Sequence, residues 1–269
     1  MIESAIPASV LQRLPGWKDA EASLLTGGWN NQAWLLQKPG ARAVLKYDRQ
    51  LRSAPYNTRL DEARIQSAAA AAGLANPVLY VDERVLLSEY AEGEVWEPAS
   101  LSDLQNLERL ADALRRMHAL PPTGRKFDAA AAAEIYARDI DGDRDLVAMC
   151  TDIAAAAGKP ATGCCCHNDV VAENIIATPA VRFLDWEYAC DNDPLFDLAT
   201  IVEHHGLSGP CTEHLLDAYY EGDGDRWRSG LLEQQRLYQA LLWLWLASRR
   251  STRAADLQRA AERLVTSCS

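Results

Sequence analysis

Up to about Tyr90 the chain alternates short apolar runs with turns. Positions 24–25, 32–37 and 42–47 read as strands. Lys38-Pro39-Gly40-Ala41 separates the second run from the third and carries the Pro-Gly signal of a turn. Residues 61–72 read as a helix that stops at Gly73. Positions 78–81 and 85–90 then read as two more strands, with 82–84 as the turn. The predicted order is strand, strand, strand, helix, strand, strand.

After Gly93 the spacing becomes helical. Leu104, Leu107, Leu110, Ala111, Leu114 and Met117 recur at intervals that lay one apolar face on a core. The alanine-rich stretches 129–133 and 154–157 suit helices. A short strand-loop-strand island occupies 163–186. From Asp197 onward the pattern is helical, with breaks at 206–210 and 222–224. No internal repeat is visible. The expected class is α+β: a small sheet-and-helix lobe over 1–92, and a larger, mainly helical lobe over 93–269. The joint is Ala91-Glu92-Gly93-Glu94.

Composition narrows the partners. The 269 residues carry 27 Lys and Arg against 38 Asp and Glu, a formal net charge of −11. That disfavours nucleic acid and anionic membranes, which need a positive field. The apolar run 240–247 is far shorter than the roughly 20 residues that span a bilayer. The first residues lack a basic segment followed by an apolar run, so a cytoplasmic location is expected. Seven cysteines include the consecutive Cys164, Cys165 and Cys166, and no CxxC pair. Consecutive side chains cannot all point at one metal, so reduced thiols are expected ahead of a zinc site or disulfides.

The densest chemistry lies in Cys166-His167-Asn168-Asp169-Val170-Val171-Ala172-Glu173-Asn174, followed by Phe183-Leu184-Asp185-Trp186-Glu187-Tyr188. Asp169, Asn174 and Asp185 offer oxygen atoms near the ends of short strands. That donor set suits a hard divalent cation such as Mg2+, with one carboxylate left for a substrate hydroxyl. The spacing His-x-Asp-x4-Asn, then Asp, is that of a kinase phosphotransfer loop. A polar turn that merely caps two buried strands fits the same residues. Lys46 ends an apolar strand, which suits either a solvated edge or a phosphate contact. Glu62, sixteen residues on, sits where a helical side chain can reach back to it. Gly27-Gly28-Trp29-Asn30-Asn31 joins two strands, and glycines there let backbone N–H groups approach phosphate.

In this order these residues resemble a known family. The segments are Leu25-Thr26-Gly27-Gly28-Trp29-Asn30-Asn31, Arg59-x-x-Glu62, Ser88-Glu89-Tyr90-x-Glu92-Gly93 and Cys166-His167-Asn168-Asp169 with Glu173-Asn174. The run from Asp185-Trp186-Glu187-Tyr188-Ala189 to Asp197-Leu198-Ala199 completes the set. They are similar to the choline/ethanolamine kinase branch of the aminoglycoside-phosphotransferase-like fold. Bacterial choline kinases are the nearest match in the branch, with bacterial thiamine kinases beside them. The likeness implies a two-lobed, protein-kinase-like fold and roles for individual residues. Asp169 would orient or deprotonate the acceptor hydroxyl. Asn174 and Asp185 would hold Mg2+, with Glu187 near metal or substrate. Gly27, Gly28, Asn30, Asn31 and Lys46 would contact ATP, with Glu62 as the lysine's partner. The backbone at Glu89 and Tyr90 would meet adenine, and His167 and Asp197 would brace the catalytic loop.

Two features depart from the family pattern. Asn30 stands where Thr or Ser is usual. The family's late-helix aromatic pair is replaced by Tyr238, Trp243 and Trp245; the two tryptophans, two residues apart, point about 200° apart on a helix and cannot both line one pocket. The expected function is an ATP-dependent, Mg2+-using kinase for a small cationic alcohol, choline first, held by Glu187 and by aromatic faces. Thiamine, ethanolamine and aminoglycosides are alternative acceptors. A catalytically silent binding protein is disfavoured because Lys46, Asp169, Asn174 and Asp185 are all present. A protein kinase is disfavoured because Trp-Glu, not Phe-Gly, follows Asp185 and no Gly-x-Gly-x-x-Gly loop occurs.

Overall fold

A computed structural model describes residues 6–25, 33–52, 54–160, 162–177 and 180–267. Its elements run α1 (Ala8–Leu11), β1 (Glu21–Leu25), β2 (Ala33–Lys38), β3 (Ala41–Tyr47), α2 (Arg59–Ala71), β4 (Val78–Val81), β5 (Val85–Glu89) and β6 (Glu94–Val95). They continue with α3 (Leu104–His118), α4 (Ala129–Ala137), α5 (Arg144–Ala157), β7 (Cys164–Cys166), β8 (Ile175–Ala177), β9 (Val181–Phe183) and β10 (Cys190–Asn192). The last are α6 (Pro194–His205), α7 (Gly209–Tyr219), α8 (Arg228–Ala247) and α9 (Ala254–Ser267). Two compact units result: Met1–Glu94 with Ile176–Glu187, and Val95–Ile175 with Tyr188–Ser269.

The first unit is built on an antiparallel sheet of order β1-β2-β3-β5-β4. Alternation along the strands assigns its faces. Trp34 and Leu36 of β2, Ala43 and Leu45 of β3, and Val85 and Leu87 of β5 point one way. They bury against Val10 of α1, Leu14 and Trp17. Lys46 and its cross-strand neighbour Leu86 point the other way. Helix α2 packs on β4 and β5 and buries Arg59, Glu62 and Gln66 together with Ala63, Ile65 and Ala69. It starts two residues earlier than its pattern suggests, because the Thr58 hydroxyl accepts the Asp61 N–H as an N-cap. It ends where the left-handed Gly73, at φ 75°, turns the chain. The segment 176–187 groups with this unit and not with the residues flanking it in sequence. Long-range contacts hold it there: the Phe183 N–H donates to the Leu74 carbonyl at 2.8 Å, and Asp185 and Glu187 pair with Lys46 and Arg52.

The second unit is mainly helical. Leu107, Leu110, Ala111, Leu114 and Met117 form the buried stripe of α3, as their spacing predicts. Leu104, which the same spacing places on that face, is the first helical residue and stands exposed. Helix α8 packs against α4, α5, α6 and α9, and a core forms there around Phe196, Leu237, Trp243, Leu244 and Leu264. Helix α6 begins at Pro194, three residues ahead of its expected start, with Asp193 as its N-cap. Pro210 falls in the first turn of α7, where its missing N–H costs nothing. Strand β7 pairs antiparallel with β10, setting Cys166 against Cys190 and Cys164 against Asn192.

Candidate active site

In the first unit a single ion network gathers residues from β3, α2, the link between them and the chain after β9. The Lys46 ammonium donates to Glu62 Oε1 at 2.7 Å and to Asp185 Oδ1 at 2.8 Å. Arg59 Nη1 donates to the other Glu62 oxygen at 2.6 Å, and its Nη2 reaches Asp48 Oδ1 at 2.7 Å. Arg52 joins Glu187 Oε2 at 2.6 Å and Asp48 Oδ2 at 3.0 Å. The Glu62 and Arg59 side chains are wholly buried, so each needs its partners: an unpaired buried charge would cost several kcal/mol.

The protonation states follow from that enclosure. Burial would lower the Lys46 ammonium, but Asp185 and Glu62 override it and hold it above the usual lysine value. Burial would raise Asp185, but Lys46 holds it down, to about 2. Glu62 is likewise depressed against its burial by Lys46 and Arg59. Glu187 goes the other way: burial and then the Asp185 charge push it up. Three cations face four carboxylates in this group, leaving one negative charge. Asp185 itself has a left-handed φ of 60°, a conformation a non-glycine residue adopts at a cost.

The network absorbs Lys46, Glu62, Asp185 and Glu187. It also contains Asp48, Arg52 and Arg59, which were not among the expected site residues. Arg59 was legible in principle, since Arg59-x-x-Glu62 is an i,i+3 pair on one helix face. Asp48 and Arg52 lie in an irregular link with no periodic signal. Gly27, Gly28, Asn30 and Asn31 fall outside the described residues. At the end of β5, the Glu89 N–H donates to the Pro77 carbonyl at 2.9 Å, and the Tyr90 N–H to the Arg42 carbonyl at 3.2 Å. These two N–H groups are thus engaged inside the fold. The Arg42 guanidinium lies 4.3 Å over the Tyr90 ring.

The second unit holds the loop after β7. Asn174 Nδ2 donates to Asp169 Oδ2 at 2.9 Å and to the Asp169 carbonyl at 3.1 Å. The two residues, five apart in sequence, therefore fix each other. Asp197, fully buried near the start of α6, accepts from the backbone N–H of His167 at 2.9 Å and of Asn168 at 2.7 Å. A buried carboxylate fed by backbone donors is a rigid clamp on that loop. Asn168 is left-handed at φ 63°. Its amide nitrogen donates to the Tyr188 carbonyl at 3.1 Å, and its amide oxygen accepts from Asn192 at 2.7 Å. Asn168 and Asn192 thus hold the shape of this loop; the signal for Asn168 in the sequence is an Asn, a residue tolerant of positive φ, inside a motif loop.

Among the residues expected at the acceptor, burial separates the three aromatics. The Tyr238 hydroxyl meets His204 Nδ1 at 2.9 Å, and burial followed by the nearby Asp169 carboxylate pushes its phenol up. Trp243 is only 2% exposed and sits in the α8 core. Its ring offers no face to a ligand arriving from solvent. Trp245 packs partly buried against the same cluster, with the Arg249 guanidinium 4.1 Å over its ring. Trp243→Ala is therefore expected to cost about 3–5 kcal/mol of stability while leaving acceptor affinity within twofold or so. Denaturant titration and acceptor binding on the same variant check this; a selective loss of acceptor binding in a fully stable protein would put Trp243 in a pocket.

Known proteins resemble this chain in sequence and in fold. Residues 21–244 match the phosphotransferase enzyme family. Protein LicA of Haemophilus influenzae is 30% identical over 207 residues, covering 72% of this chain. The chain spans 61% of that relative's length. Among solved structures, the choline kinase LicA from Streptococcus pneumoniae superposes with a TM-score of 0.76 at 21% identity, covering 92% of each chain. A choline/ethanolamine kinase family protein from Mesorhizobium loti does so with a TM-score of 0.72 at 23% identity, covering 97% of this chain and 92% of its own. These likenesses give the fold: a protein-kinase-like α+β architecture with an antiparallel-sheet N-terminal lobe and a helical C-terminal region. With the family model matched along most of its length, the chain belongs to the phosphotransferase enzyme family.

Proposed function

We propose that the protein transfers the γ-phosphoryl group of ATP to the hydroxyl of a small cationic alcohol, choline first. The observation that carries this reading is the buried Lys46–Glu62–Asp185 network in a chain that also holds Asp169 fixed by Asn174. Phosphoryl transfer requires positioned cations for the phosphates and an oriented acceptor hydroxyl, and little covalent chemistry from the protein. Lys46, locked by two carboxylates, suits the first task. Asp169 suits the second, as the acceptor of the hydroxyl proton.

The donor set fits a hard divalent cation. Asp185 and Glu187 of the first unit offer only carboxylate oxygens, and the network around Lys46 carries a surplus negative charge. Asp185 is the ligand best suited within it, since its carboxylate is 27% exposed and already ionised. Asp185 would hold such an ion, which would supply positive charge against the phosphates, while Glu62 keeps Lys46 in place. The backbone clamp of Asp197 keeps the Asp169 loop from drifting during the transfer.

Choline is favoured by the H. influenzae relative LicA, which shares its name with the choline kinase of known structure. The net charge of −11 also favours a cation over an anionic or neutral acceptor. The test is ADP release by the purified protein with ATP and Mg2+, compared across choline, ethanolamine, thiamine and an aminoglycoside panel. The highest kcat/KM is expected with choline. A clear preference for thiamine would change the acceptor and leave the catalytic residues as assigned; a preference for a neutral sugar would overturn the cationic-acceptor reading. A cytoplasmic location fits a consumer of ATP, and no helix among the described residues is long and apolar enough to cross a membrane.

A further inference from the structure

The three consecutive cysteines do not act as one group. Strand alternation puts Cys164 and Cys166 on one face of β7 and Cys165 on the other. On that shared face the two sulfurs stand 3.7 Å apart, and His118 from the end of α3 joins them. The donor atoms of His118, Cys164 and Cys166 all lie within 4.8 Å of one another. Two sulfurs bound to one tetrahedral zinc ion at about 2.3 Å lie about 3.8 Å apart, so the thiol pair already has the right spacing. A disulfide would need about 2.05 Å between the same sulfurs. Both cysteines are held in register on β10, opposite Asn192 and Cys190, which opposes that closure.

The histidine is also prepared. Its Nε2 meets Asp197 Oδ2 at 3.0 Å, and a carboxylate that already takes two backbone N–H bonds can only accept. Nε2 therefore carries a proton, and in the neutral ring Nδ1 carries the lone pair, which the Tyr219 hydroxyl takes at 2.6 Å. A metal-bound histidine whose other ring nitrogen donates to a carboxylate is the usual outer-shell arrangement of zinc sites.

We propose that His118, Cys164 and Cys166 form a site for a thiophilic divalent cation of the zinc type. Binding forms two sulfur–metal bonds and one bond to Nδ1. The two thiol protons leave to solvent, and the Tyr219 hydroxyl gives up Nδ1. The S–H contacts of both cysteines to the Asn192 carbonyl are released with those protons. Because Asp197 remains the outer partner of His118 and also clamps the backbone of His167 and Asn168, the ion is linked through two hydrogen bonds to the loop that bears Asp169.

The test is a Cd2+ titration of the full, reduced chain, read by the thiolate-to-cadmium charge-transfer band in the ultraviolet and followed by competition with Zn2+. One equivalent is expected to bind. Cys164→Ser, at a half-buried position that tolerates the change, should weaken binding by about tenfold or more, as should Cys166→Ser; removal of an inner ligand costs at least what an outer partner does. His118→Gln should weaken it while the circular dichroism spectrum stays native. Cys165→Ser should bind as the unaltered chain does. No band in the folded, reduced protein would overturn the proposal. So would a band of unchanged affinity in Cys164→Ser, or one lost in Cys165→Ser alone.

Discussion

Asp169→Asn is expected to lower turnover with the preferred acceptor by about 10²–10⁴-fold, the range for loss of a positioned proton acceptor, while Mg·ATP affinity changes little. The substitution keeps the shape of the side chain and removes its charge. The Asn174 amide that donates to Asp169 Oδ2 and to the Asp169 carbonyl still has an oxygen to meet, so the loop retains its form. The Asp197 clamp on the preceding backbone is untouched. What disappears is the group that takes the hydroxyl proton. Steady-state ADP release and calorimetric titration of Mg·ATP on the same preparation separate the two effects. Turnover within a few-fold of the unaltered chain would remove Asp169 from the reaction.

Glu62→Gln is expected to destabilise the first unit by about 3–5 kcal/mol, the usual cost of breaking a buried ion pair from one side. The Glu62 side chain is wholly buried and holds Lys46 with one oxygen and Arg59 with the other. An amide has one oxygen for two cations and presents N–H groups to the second. Asp185 and Asp48 still partner Lys46 and Arg59, which keeps the loss within that range rather than above it. The same variant should bind ATP more weakly, because the lysine loses one of its two anchors. Denaturant unfolding measures the first effect and nucleotide titration the second. A loss below about 1 kcal/mol would mean the network is open to water and the pairing is weak.

Much of this protein is written in local pattern. The strand–strand–strand–helix–strand–strand order, the stripe of α3 and the stop at Gly73 follow from spacing and from turn chemistry, because each is settled within one element. The pairing of Lys46 with Glu62 was legible too, since a strand end and a helix start sixteen residues apart can only meet in a few ways. Asp169 and Asn174 share one short loop, so their spacing already implied their contact. Other features depended on contacts between segments distant in sequence. Arg52 and Asp48 entered the Lys46 network from an irregular link, where no period marks a buried side. The segment 176–187 joined the N-terminal unit through a backbone hydrogen bond to Leu74, which no composition signals. Trp243 and Trp245 were identical in kind and adjacent in pattern, and only the packing of α8 made one a sealed core residue and left the other partly open. The cysteine triplet shows the division most plainly: alternation in β7 alone splits Cys165 from its neighbours, but the histidine that completes the cluster arrives from α3, 46 residues before Cys164. Local pattern fixes which face a side chain occupies; which side chains share that face is decided by the folded chain as a whole.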